Sequence, residues 1–257
     1  MSNEQLFSLQ GKTALISGAS SGLGEHFAKV MAKAGATVIV AARRFDKLTE
    51  LVGQIEAEGG SAYALEMDVT LPDSVNQAFG KLDGMIGNLD ILVNNAGLSS
   101  TPTKFLDMEE DMWGSLLEVN LKGAWRVGRQ AGLRMKKQGF GAIINTASMY
   151  SHCTGIMKTD YNVSKAAVLQ LTKNMALELG RAGVRVNALC PGYFASAINE
   201  VEFTKDSGKA YIARLVPQRL GELHELDGPL LLLASDASSF MNGTSIVVDG
   251  GSLLLPV

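Results

Sequence analysis

The chain has 257 residues, of which 46% are hydrophobic and 19% charged, enough apolar surface to bury a large core and to fold as a single domain over 1–257. Lys plus Arg number 23 against 26 Asp plus Glu, a net charge of −3 with no long block of like sign, which argues against nucleic acid as a main partner. No apolar run approaches the roughly 18 residues that span a bilayer, and the two cysteines and a start without a secretion-signal layout suggest a soluble protein of the reducing cytoplasm with no membrane partner.

Short runs rich in Val, Ile, Leu and Ala recur at Thr13 to Ile16, Thr37 to Ala41, Ala62 to Leu65, Ile91 to Val93, Ala142 to Asn145, Val184 to Leu189 and Ser245 to Val248. They are continuously apolar rather than alternating, as strands covered on both faces should be, and helix-length segments separate them. The pattern predicts an α/β fold: a doubly wound, parallel, seven-stranded sheet with right-handed crossovers.

The first strand runs into Ser17-Gly18-Ala19-Ser20-Ser21-Gly22-Leu23-Gly24, ahead of a helical stretch from Glu25 to Ala34. Glycines in a strand-turn-helix let backbone approach a ligand and aim helix-terminal N–H groups at an anion such as a pyrophosphate. The spacing G-x-x-x-G-x-G differs from the commoner G-x-G-x-x-G, and a plain glycine-rich turn is the bland alternative. Gly18, Ser20 and Gly22 also spell the G-x-S-x-G of a serine hydrolase, but only one short strand precedes them, and His26, His152 and His224 sit in no supporting motif.

The second strand ends at Ala42-Arg43-Arg44 without an acid. In a dinucleotide fold this point meets the adenosine ribose, where an acid suits NAD and arginine suits the 2′-phosphate of NADP. A solvated arginine pair opening a helix capped by Asp46 is the alternative. Further on, Thr70, Pro72 and Asp73 read as cap, first-turn proline and acidic first turn, and Gly35 and Gly180 follow helical runs. The basic stretch through Arg126, Arg129, Arg134, Lys136 and Lys137 reads as a solvated helix end, with docking of an acidic carrier protein as the second reading.

After the fifth strand come Ser148 and then Tyr161-Asn162-Val163-Ser164-Lys165, where a spacing of four places Tyr161 and Lys165 on one helical face. With Gly18-x-x-x-Gly22-x-Gly24, Asp68-Val69, Asn94-Asn95-Ala96-Gly97, Asn120 and Pro191-Gly192 in the same order, the sequence resembles the short-chain dehydrogenase/reductase family over nearly its whole length.

The resemblance implies a Rossmann-like fold and an NADP(H)-dependent oxidoreductase that reduces a ketone or aldehyde to an alcohol, or the reverse, acting on CH–OH donors as a carbonyl reductase. Asn120, Ser148, Tyr161 and Lys165 would be catalytic. Gly18, Ser20, Ser21, Gly22, Leu23, Gly24, Arg43, Arg44, Asp68, Val69, Asn95, Ala96, Gly97, Tyr161, Lys165, Pro191, Gly192 and Ser196 would bind cofactor, with Ser17 and Ser196 standing where the family often has threonine.

Charge that builds on a carbonyl oxygen during hydride arrival needs a hydrogen-bond donor, Ser148, and a proton source, Tyr161. Lys165 is the cation that makes a phenol of ordinary pKa about 10 useful near neutrality. It would also bind the nicotinamide ribose, while Asn120 would hold a water linking Lys165 to solvent.

No metal is required. Substrate candidates beside these positions are Leu98, Ser99, Met149, Tyr150, His152, Tyr193 and Phe194, a mixed apolar and aromatic set that suits a small molecule with a hydrophobic body. A substrate loop is expected at about 193–222. A 3-oxoacyl thioester reductase is the nearest alternative, a non-catalytic nucleotide-sensing protein or a serine hydrolase the more distant ones. The family implies a homotetramer.

Overall fold

The protein is described by a computed structural model over residues 3–195 and 206–254. Its strands are β1 (Thr13–Ser17), β2 (Thr37–Ala42), β3 (Ser61–Glu66), β4 (Ile91–Asn94), β5 (Gly141–Thr146), β6 (Val184–Pro191) and β7 (Ser245–Val248). They form one parallel seven-stranded sheet in the order β3-β2-β1-β4-β5-β6-β7, the Rossmann-like arrangement. Because the chain winds outward from β1 to β3 and then returns to place β4 beside β1, a crevice opens at the carboxyl ends of those two neighbouring strands.

After a single helical turn at Asn3–Leu6, the longer helices are α1 (Gly22–Lys33), α2 (Phe45–Ala57), α3 (Pro72–Met85), α4 (Glu110–Leu117), α5 (Ala124–Gln138), α6 (Thr159–Leu179), α7 (Asp206–Arg214) and α8 (Asp227–Ala234). They cover both sheet faces. Ala14 and Ile16 of β1 point to a core shared with Phe27 and Met31 of α1, Leu51 of α2 and Leu230 of α8. Leu15, between them, points to the opposite core with Phe79 of α3 and Val127 and Met135 of α5. Each large side chain so buried contributes roughly 1.5–3 kcal/mol, and the two-sided cover is why the strands carry no polar alternation.

Two end signals fall elsewhere than expected. Leu71, not Thr70, stands at the N-cap position of α3, since the Thr70 N–H and hydroxyl both donate to Asp68 Oδ1, at 2.9 and 2.7 Å. Gly180 keeps right-handed geometry and leads into a short turn, and Gly183, with φ +77°, makes the left-handed exit. The excursion after β6 contains α7 and is tied back where Phe194 pairs with Gly221.

Helix α4 passes into α5 through a π turn, Glu118–Gly123, with right-handed backbone at Leu117, Gly123 and Ala124. A π turn widens the helix by one residue and recurs at functional sites. Here it places Val119 in the crevice wall and buries Asn120 against Leu98 and Ser164.

Candidate active site

A cleft of about 430 Å³ follows the carboxyl ends of the strands. Of the residues read as cofactor-binding, Gly18, Ser20, Ser21, Leu23, Arg43, Arg44, Asp68, Val69, Asn95, Ala96, Gly97, Tyr161, Lys165, Pro191 and Gly192 line it. Ser196 lies outside the described residues. Ser99 and Leu98 also line the cleft, as do Met67, Val119 and Thr146, which no sequence motif marks.

At one end the glycine turn presses against the exit of β4. Gly18 has φ +69°, and a Cβ there would lie 2.7 Å from Ala96 Cα, while one on Gly24 would lie 2.3 Å from the Gly18 carbonyl oxygen. The contact is sewn by Ser17, whose Oγ accepts the N–H groups of Asn95 and Ala96 at 3.0 and 3.1 Å. Serine thus does the work a hydroxyl is needed for at that position. The Ser21 side chain does not cap α1, so first-turn N–H groups remain open to an anion.

The Arg44 guanidinium donates to Ser20 Oγ at 2.9 Å, Ser20 O at 3.3 Å and Ser21 Oγ at 3.0 Å, and Arg43 stands exposed beside it. The hydrolase reading fails here. Among the described residues no histidine reaches Ser20: His26 pairs with Asp227, His152 with Ser245 and His224 with Glu222.

At the other end Tyr161 and Lys165 share a face of α6, with the Lys165 Nζ 5.7 Å from the Tyr161 ring centroid. Lys165 is buried and donates to the Thr146 carbonyl at 2.8 Å, and burial lowers its pKa to about 8. Burial raises the Tyr161 phenol, and a hydrogen bond with Ser148 opposes that rise. Ser148 Oγ accepts the Tyr150 N–H at 3.2 Å, which leaves its own proton to give.

Asn120 is buried, and its carboxamide is committed: Oδ1 accepts Leu98 N–H at 2.7 Å, while Nδ2 donates to Leu98 O at 3.0 Å and Ser164 Oγ at 3.2 Å. These bonds brace Leu98 against α6, and Asn120 Oδ1 and Lys165 Nζ both face Gly97.

The substrate candidates divide. Tyr150 meets Tyr161 edge to face at 6.3 Å between centroids, and its hydroxyl shares a 2.9 Å hydrogen bond with that of Tyr193. Met149 and Phe194 are buried, and Phe194 lines a second, smaller cavity with Tyr193 and Pro217. His152 is exposed and faces β7 through Ser245 Oγ at 3.3 Å.

The basic stretch folds onto the protein's own acids, Arg126 on Glu118 and Arg134 on Asp83 with its guanidinium 4.8 Å over the Phe79 ring, as a solvated helix face should. Among the described residues no group of three or more His, Cys, Asp or Glu side chains is placed to hold a metal, and no helix is long and apolar enough to cross a membrane.

Three comparisons bear on this geometry. A family model described as enoyl-(acyl carrier protein) reductase matches residues 18–252. The gluconate 5-dehydrogenase of Gluconobacter oxydans is 36% identical over 253 residues, 98% of each chain, and the 3-oxoacyl-(acyl-carrier-protein) reductase FabG of Thermotoga maritima is 34% identical over 96% of this chain and 99% of its own. The crystal structure of a gluconate 5-dehydrogenase from Burkholderia cenocepacia in complex with NADP and tartrate superposes with a TM-score of 0.95 at 33% identity, covering 99% of this chain and 100% of that one.

Proposed function

Because the chain belongs to the short-chain dehydrogenase/reductase family of oxidoreductases, we propose that it interconverts a secondary alcohol and a carbonyl compound with NADP(H), using Tyr161 as general acid/base. The observation that carries this reading is the assembly of Ser148, Tyr161 and Lys165 at one end of a cleft whose other end holds the glycine turn and an arginine pair.

The residues fit such a cofactor. Thr146 lines the cleft, and its Oγ1 is a buried hydroxyl without a hydrogen-bond partner among the described residues, while its carbonyl accepts the Lys165 ammonium. A Cβ on Gly97 would lie 3.3 Å from Asn120 Oδ1 and 3.6 Å from Lys165 Nζ, so glycine keeps that passage open. The α1 N-terminus and Ser20 to Ser21 would hold the pyrophosphate, Arg43 and Arg44 the 2′-phosphate, Asp68 and Val69 the adenine, and Lys165 the nicotinamide ribose.

When bound, NADPH supplies the hydride. Ser148 would donate a hydrogen bond from its hydroxyl to the carbonyl oxygen, keeping its own proton, and so hold that oxygen in place. Tyr161 gives that oxygen its proton, and a raised pKa keeps the phenol protonated until then. Lys165, with a pKa of about 8, is largely charged at neutral pH and favours the phenolate left behind. Asn120 keeps Leu98 and α6 in register.

For substrate, the hydroxyls of Tyr150, Tyr193 and Ser99 around Tyr161 suit a polyhydroxy acid or its keto form better than the apolar body expected from sequence. The relatives that act on gluconate fit the same choice. A 3-oxoacyl thioester is the second candidate, on the strength of the FabG likeness. Exposed apolar residues on α5 (Trp125, Leu133), on α6 (Val163, Leu177) and near the chain end (Phe240, Leu254) suit a homotetramer. Cys153 and Cys190 are unpaired, in keeping with a reducing cytoplasm.

The test is oxidation of NADPH, and separately NADH, against 5-ketogluconate, other keto sugars and a 3-oxoacyl thioester, with Tyr161→Phe beside the parent. We expect turnover with NADPH preferred, and a loss of roughly 10²-fold or more in kcat in Tyr161→Phe with the Kd for NADPH within about threefold. Undiminished turnover in the variant overturns the role of Tyr161. A parent that binds NADPH and reduces nothing on the panel supports the nucleotide-sensing reading instead.

A further inference from the structure

Asp160 immediately precedes Tyr161, and its side chain is 1% exposed. One carboxylate oxygen carries its hydrogen bonds: Oδ1 accepts the Ser100 hydroxyl at 2.6 Å and the Tyr161 N–H at 2.7 Å. The other, Oδ2, is buried with no hydrogen-bond partner among the described residues. No cation pairs with this carboxylate among the described residues. A buried carboxylate half satisfied in this way is costly, and the first turn of α6, whose N–H groups carry partial positive charge, is what offsets part of that cost.

The position of its partner gives the arrangement a purpose. Ser100 is itself buried and follows Leu98 and Ser99, which line the cleft. Leu98 is gripped on its other side by Asn120, and Thr103 N–H donates to Met157 O at 2.9 Å just ahead of α6. The Ser100–Asp160 bond is therefore a direct buried link between the cleft wall at 98–100 and the helix turn that carries Tyr161, beside the indirect one through Asn120 and Ser164.

We propose that Asp160 is a positioning residue: through Ser100 it fixes the Leu98–Ser99 wall against the first turn of α6, and so sets the distance between substrate and the Tyr161 hydroxyl. The inference rests on the oxidoreductase reading for its effect on turnover, whereas the link itself stands apart from that reading. Asparagine in place of Asp160 keeps an oxygen where Oδ1 accepts both bonds. Alanine removes it, and Ser100→Ala removes the other half.

The experiment compares Asp160→Ala, Asp160→Asn, Ser100→Ala and the double alanine variant in steady-state reduction and in amide hydrogen exchange of the full chain without cofactor. Asp160→Ala and Ser100→Ala should each lower kcat for the carbonyl about tenfold or more, with KM for NADPH within about twofold, and the double variant should be no worse than the singles. Asp160→Asn should stay within about threefold of the parent. Exchange in peptides covering 98–103 should speed up in both alanine variants and not in the asparagine one.

Parental kcat in Ser100→Ala, additive losses in the double variant, or unchanged exchange at 98–103 would each overturn the proposal. If Asp160→Ala does not fold, Ser100→Ala decides alone. An inactive parent counts against the oxidoreductase reading, and the exchange result then still decides whether the link exists.

Discussion

Burial sets the ionisation of Lys165. Its ammonium has one hydrogen bond, to the Thr146 carbonyl, and its pKa falls from the 10.5 of an exposed lysine to about 8. The unfolded chain thus holds a proton on this side chain through a window, from about 8 to 10.5, in which the folded chain has lost it. Where the unfolded state binds more protons, stability rises with pH, so the lysine weakens the fold most at and below neutrality and progressively less above pH 8.

Replacing it by Met, which has a similar length and no charge, should therefore stabilise the cofactor-free protein at pH 7 while abolishing its turnover. The stability gain, net of one lost hydrogen bond, should shrink by on the order of 1–2 kcal/mol between pH 7 and pH 9.5. Urea unfolding of parent and Lys165→Met at the two pH values measures this. A gain that stays constant across that range would show that the ammonium is not penalised by burial.

At the scale of elements, the site depends on how closely the glycine turn lies against the end of β4. A Cβ on Gly24 would meet the Gly18 carbonyl oxygen at 2.3 Å and the Asn95 side-chain nitrogen at 2.6 Å. The oxygen belongs to backbone in a turn with φ +69° at Gly18, which cannot yield as a flexible side chain would. Gly24→Ala should cost about 1–3 kcal/mol of stability and at least tenfold in NADPH affinity. By contrast, Gly53→Ala, where a Cβ meets nothing within 4 Å, should be neutral or slightly stabilising. Chemical denaturation and cofactor titration of the two variants check the contrast, and equal behaviour would mean that the turn relaxes.

These elements were legible to different degrees, for physical reasons. Strands covered on two faces announce themselves as apolar runs, so β1 to β7 stand where the pattern puts them. Ser148, Tyr161 and Lys165 are legible because helix periodicity fixes the Tyr–Lys spacing. The π turn around Asn120 is not, since one extra residue in a turn leaves the apolar pattern of a helix almost unchanged. Nor is the Ser100–Asp160 link, whose partners lie 60 positions apart and carry no motif.

For the whole molecule, the sheet leaves β7 at one edge with all four of its residues only half covered. Phe240 just before it is fully exposed, and Val216 and Leu254 stand exposed at 59% and 84%. Apolar surface of this kind suits the interface of the proposed homotetramer. A two-fold contact between copies buries each such residue twice.

Phe240 offers about 2–3 kcal/mol of burial per copy, and an aspartate in its place would add the desolvation of a charge beside its symmetry mate. Phe240→Asp should accordingly convert a particle of four chains into one of two in sedimentation equilibrium. Turnover should stay within a fewfold of the parent, because Ser148, Tyr161 and Lys165 all come from one chain. A variant that still sediments as four chains would place the interfaces on the α5 and α6 faces alone, and a parent that sediments as one chain would remove the tetramer altogether.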